Sequence, residues 1–222
     1  MSLKEKKTNK KPLFSWKFFL YDFVKITGGL PAWVWIKPRI TYISKEAKEQ
    51  MKHIGGIVIA NHTGVTDPVK LHFALWNRRF YMLAFKELFE NKLRNFFFTK
   101  MLCLPVDRDN FSMNIFNKVM ELTKAGYLVG IFPEGKIVRE EGVGSFKGGA
   151  VMMALRANVP IIPIYITPYR KFFAFNDIII GEPIDIRELC GATPPLNAIE
   201  KVSEHIREKE VELMKFYEER IK

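Results

Sequence analysis

The sequence predicts an α/β protein: a mixed, mostly parallel sheet flanked by helices, preceded by an aromatic-rich helical segment. Two observations carry that prediction. Short apolar runs recur between residues 57 and 181, and helical stretches separate them, which is the pattern of a sheet with helices on its faces. The first 43 residues follow neither rule and are read separately, giving 1–43 as a leader and anchor and 44–222 as the α/β domain.

The leader carries five lysines in its first eleven residues. No apolar run with a small-residue cleavage site follows, so it does not read as a secretory signal. Residues 13–36, LFSWKFFLYDFVKITGGLPAWVWI, crowd Trp16, Phe18, Phe19, Tyr21, Phe23, Trp33 and Trp35 around Lys17, Asp22 and Lys25. A spanning helix needs about 20 mostly apolar residues, and Gly28, Gly29 and Pro31 are expected to break this one. Short aromatic pieces beside a lysine cluster suit the headgroup region of a bilayer. Packing as an ordinary core helix is the other reading.

The remaining elements follow in order. Residues 44–52 read as a short polar helix and 57–60 as a buried strand. Asp67 with Pro68 marks a helix start, Asp as N-cap and Pro at the first helical position. Strands are expected at YMLAF (81–85), LCLPV (102–106), LVGIF (128–132), IIPIYI (161–166) and DIIIG (177–181). Helices are expected from Ser112 to Gly126 and from Phe146 to Ala157. Ile199, Val202, Ile206, Leu213 and Tyr217 recur at helical spacing and make the tail, 197–222, an amphipathic helix.

Composition narrows the partners. With 222 residues the chain can bury a sizeable core. Its 35 basic and 24 acidic residues leave +11, which calls for an anionic partner: nucleic acid, a phospholipid surface or a phosphorylated metabolite. The basic residues are dispersed and form no recognition motif, which argues against nucleic acid. Cys103 and Cys190 stand far apart without histidines at ligand spacing. A disulfide framework and a metal site are therefore not expected, and a reducing compartment fits.

The chemistry concentrates at residues 57–69, IVIANHTGVTDPV. His62 follows a buried strand directly, where α/β proteins place ligands, and an imidazole can take a proton from an alcohol near neutral pH. Asp67, five residues on, can fold back and hold the other ring nitrogen. No serine or cysteine stands beside the pair, so the hydroxyl to be activated belongs to a substrate. On the residues alone, a plain loop histidine with an Asp helix cap remains open.

The ordered set NHTGVTD (61–67), FKELF (85–89), VDR (106–108), FPEG (132–135), GSFKGGA (144–150) and VPIIPI (159–164) resembles the blocks of the glycerolipid acyltransferases. These are the 1-acyl-sn-glycerol-3-phosphate acyltransferases and their relatives. The resemblance spans roughly residues 55–185, and the aromatic N-terminus looks like the anchoring helices of bacterial members. It implies a catalytic dyad of His62 and Asp67. It also implies phosphate-binding roles for Lys86, Arg108 and Lys147, and site-supporting roles for Asn61, Glu134 and Gly135. The expected reaction moves a fatty acyl group from acyl-CoA or acyl carrier protein to the hydroxyl of a lysophospholipid, with no cofactor beyond that co-substrate. The expected place is the cytoplasmic face of the membrane. One block departs: where the family reads FPEGTR, this chain reads FPEGKIV, so Lys136 or Arg139 must supply the missing charge or the acceptor differs. That departure also motivates an alternative, a lipid-binding protein that has kept the pocket but not the reaction.

Overall fold

A computed structural model describes residues 16–107, 112–138, 142–168, 174–191 and 194–220. Seven strands form one sheet: β1 (Pro38–Tyr42), β2 (Gly56–Ala60), β3 (Phe80–Phe85), β4 (Cys103–Val106), β5 (Leu128–Ile131), β6 (Ile161–Ile166) and β7 (Asn176–Ile180). Their order across the sheet is β1-β7-β6-β2-β5-β3-β4, and every pair is parallel except β6 with β7. The sheet is thus mixed and mostly parallel.

Helices cover both faces. β2 shows how: Ile57 and Ile59 point into one apolar cluster, Val58 and Ala60 into the other, the two-residue alternation of a pleated strand. On the first face lie α5 (Met113–Lys124), α6 (Gly149–Ala157) and α8 (Leu196–Arg220), with short α7 (Ile186–Cys190). On the second lie α2 (Lys45–Met51) and α3 (Asp67–Ala74). β2 leads through α3 to β3 on one side, whereas β5 leads through α6 to β6 on the other. Connections therefore diverge at the carboxyl ends of β2 and β5, the switch point where open α/β sheets bind ligands.

Four local expectations change. Gly28, Gly29 and Pro31 do not break the N-terminal segment, which forms one helix, α1 (Phe19–Ile36), with Pro31 inside it. A Cβ at Gly29 would meet the Trp76 ring at 2.5 Å, so this glycine lets α1 press on the end of α3. Lys25 bonds the Trp76 carbonyl, Arg79 pairs with Asp22 at 2.6 Å, and Tyr21 packs near His72. Tertiary contacts here override propensity. Among the described residues, no helix is long and apolar enough to cross a membrane.

β1 lies inside the stretch read as anchor, because PRITY shows neither an apolar run nor clean alternation; its pairing with β7 recruits it. The helix expected from Phe146 begins at Gly149, since the Lys147 N–H is drawn to the Pro133 carbonyl at 3.0 Å. Finally, Thr66 rather than Asp67 caps α3, because the Asp67 carboxylate is engaged elsewhere.

Candidate active site

The five buried residues of β2 lead into Asn61, which is itself fully buried. The Asn61 amide accepts from Ile166 N–H at 2.7 Å and donates to Ile166 C=O at 2.9 Å, fastening the exit of β2 to the end of β6. The next residue, His62, emerges from a fixed strand end. Its backbone N–H donates to Glu134 Oε2 at 3.0 Å, and its C=O accepts from Val138 N–H at 2.7 Å. Its ring stacks on Phe132, 4.0 Å between centroids and 12° from parallel. Backbone and ring are both held.

His62 Nδ1 lies 3.2 Å from Asp67 Oδ2. The same oxygen accepts the backbone N–H groups of Thr63 and Gly64, each at 2.7 Å, and Oδ1 accepts from Lys70 Nζ at 3.1 Å. Residues three apart on a helix share a face, so Asp67 and Lys70 form a pair in which both side chains are 0% exposed. Lys70 also donates to the Thr167 carbonyl at 3.0 Å. Burial pushes the Asp67 carboxyl up, but the His62 contact, the charge of Lys70 and the Gly64 N–H together hold it below the ordinary value. Burial draws Lys70 down against the attraction of Asp67. Asp67 is thus held ionised, and a Nδ1–H donated to it leaves Nε2 as the proton acceptor of the ring.

The ring borders a cavity of about 180 Å³ at the carboxyl edge of the sheet. Met82, Leu83, Leu88, Phe98, Val106 and Ile131 supply apolar wall, and Lys147 and Asp107 supply charge. Of the expected phosphate ligands, Lys147 borders the cavity with His62, its chain lying over Gly135, which has φ +68°. Lys86 does not line it; its exposed ammonium pairs with Asp107 at the rim. Lys136 is exposed on the turn after Gly135. Arg108 and Arg139 fall outside the described residues.

Glu134 holds two loops at once, taking the His62 N–H with one oxygen and the Gly144 N–H, at 2.8 Å, with the other. Burial raises its pKa against the pull of these two donors. Behind it sits Glu210 of α8, 0% exposed, with neither carboxyl oxygen hydrogen-bonded among the described residues. Burial, and then the charge of Glu134, push Glu210 well above the ordinary carboxylate value. Sequence reasoning missed Lys70 and Glu210. The three-residue spacing from Asp67 could have found Lys70; no local signal marks Glu210, which sits in a helix full of glutamates.

The acyltransferase family model matches residues 40–167, a stretch that contains every strand of the site. The chain belongs to the acyltransferase family, and it is an enzyme. It is 32% identical over 175 residues to the 1-acyl-sn-glycerol-3-phosphate acyltransferase of Bacillus subtilis, a match spanning 75% of this chain and 87% of that protein. To the protein of that name from Streptococcus pneumoniae it is 30% identical, over 60% of this chain and 51% of the relative. Among solved structures, the 1-acyl-sn-glycerophosphate (LPA) acyltransferase PlsC of Thermotoga maritima shares the fold. That match has a TM-score of 0.62 and 21% identity, over 90% of this chain and 81% of that one.

Proposed function

We propose that this acyltransferase transfers a fatty acyl group from an acyl thioester, acyl-CoA or acyl carrier protein, to the free hydroxyl of 1-acylglycerol-3-phosphate, making phosphatidic acid. The observation that carries the reading is the His62–Asp67 contact at 3.2 Å, with Asp67 kept charged by Lys70 and two backbone N–H groups. The relatives' shared name supports the acceptor.

In the proposed step His62 Nε2 takes the acceptor's hydroxyl proton as its oxygen attacks the thioester carbonyl. The imidazolium that forms is stabilised by the Asp67 carboxylate. Collapse of the tetrahedral intermediate breaks the C–S bond, and the departing thiolate takes up a proton. The enzyme forms no covalent intermediate, so the gain comes from placing the two substrates and from the base. The apolar wall of the cavity suits an acyl chain, while Lys147 offers its charge to the acceptor phosphate, with Arg108 completing the set. Lys86 and Lys136 act from the surface, where they draw the anionic headgroup inward, and Arg139 adds its charge. The reading needs no metal or other cofactor.

The reaction takes place at the cytoplasmic membrane surface. α1 and the turn before it support this, since Trp16, Phe19, Phe23, Ile26, Leu30 and Trp33 are all between 44% and 80% exposed. The test is thiol release from acyl-CoA and from acyl carrier protein with lysophosphatidate present. His62→Ala is expected to lower the rate by about 10²–10⁴-fold. Equal rates for variant and wild type would refute the assignment, and no thiol release by the wild type would favour the binding-only reading.

A further inference from the structure

Helix α4 (Lys92–Lys100), reached from β3 through a 3-10 turn (Lys86–Phe89), has the sequence KLRNFFFTK and buries none of its side chains. Its stripe at i, i+3 and i+4 faces water: Leu93 is 77%, Phe96 55% and Phe97 46% exposed. The opposite side meets the protein through Phe98, which packs on Phe89 and lines the cavity with Leu88. A helix of this length is marginal in water on its own. Asn91 caps it, accepting from Leu93 N–H at 2.9 Å, but an amphipathic helix ordinarily turns its apolar stripe toward a cover.

We infer that the outer face of α4 is a bilayer-contacting surface distinct from α1, seated on anionic phospholipid beside the mouth of the cavity. Charge favours a lipid occupant. Lys92, Arg94 and Lys100 surround the stripe, and only Glu87 and Glu90, in the preceding turn, oppose them. A symmetric contact with a second copy would set those cations against each other, whereas anionic headgroups neutralise them. The aromatic side chains then enter the acyl boundary. Location favours it too, since the helix that meets the lipid outside also forms the cavity wall inside. A lysolipid can then travel along one helix from bilayer to His62 without exposing its chain to water. The nature of that cargo rests on the acyl-transfer reading; the docking surface does not.

The experiment uses the full chain and the double variant Leu93→Gln/Phe96→Gln, which alters neither the cavity lining nor helix propensity appreciably. Cosedimentation is measured with vesicles of phosphatidylglycerol and phosphatidylethanolamine, and with pure phosphatidylcholine. Thiol release is measured with a short-chain lysophosphatidate dissolved as monomers. The variant is expected to bind anionic vesicles on the order of 10- to 100-fold more weakly, while turning over the dissolved acceptor at the wild-type rate. Equal vesicle binding overturns the inference. So does a matching loss of dissolved-acceptor turnover, which would place α4 in the reaction itself. Self-association of the wild type that the variant loses, with vesicle binding unchanged, would assign the face to a second copy. Weakened vesicle binding with no turnover by the wild type would remove the acyl-transfer reading and leave the docking surface standing.

Discussion

Helix α3 has one histidine before it and one in its last turn, and the contrast shows what fits the first for the proposed role of base. His62, before the helix, has a carboxylate on Nδ1 and an open cavity beside its ring. His72, in the last turn, has only the Pro68 carbonyl on Nδ1, at 2.7 Å, and is enclosed by Tyr21 and Phe80. Burial pulls the His72 pKa below its ordinary value, so it stays a neutral filler between α1 and the sheet. Any proton that His62 gains is balanced by Asp67; one gained by His72 is opposed by burial and by Lys25.

The sharpest way to break the contrast is to remove the counter-charge. Asp67→Asn keeps the shape but not the charge, and kcat for thiol release is expected to fall on the order of 10²–10⁴-fold. Unchanged kcat would reduce Asp67 to a loop staple. Lys70→Met comes next: it strands a buried carboxylate, and urea titration should show a loss of about 3–5 kcal/mol.

Glu210→Gln separates the site from its support. The folded state holds the Glu210 proton above the ordinary value of 4.5, so its contribution is present in acid and is lost as pH rises through the raised folded value. Stability of the wild type should decline across that window more steeply than that of the Gln variant, and equal slopes would contradict the assignment. His72→Phe closes the series. Its depressed pKa means the folded state resists protonation, so wild-type stability falls as pH drops through about 6.5. The variant should lose that acid sensitivity while turnover stays within about twofold, in keeping with a surface-independent packing role.

How much of this was legible in the sequence follows from distance along the chain. His62 and Asp67 stand five residues apart, so loop and helix start could be read together. The apolar runs of β2, β5 and β6 are buried on both faces and read directly. Long-range partners were not readable. Glu210 lies 76 residues beyond Glu134 and meets it only because α8 returns across β6. Asp107 captures Lys86 across neighbouring strand ends, so a cation that the family resemblance assigned to phosphate begins in an ion pair at the rim. The ring that α1 meets at Gly29 belongs to Trp76, 47 positions further on.

Because one carboxylate of Glu134 grips the amides of His62 and Gly144 together, the backbone after β2 and the glycine-rich segment after β5 share a single tether. A shift of the glycine-rich segment would pull on the same carboxylate that fixes the backbone of His62.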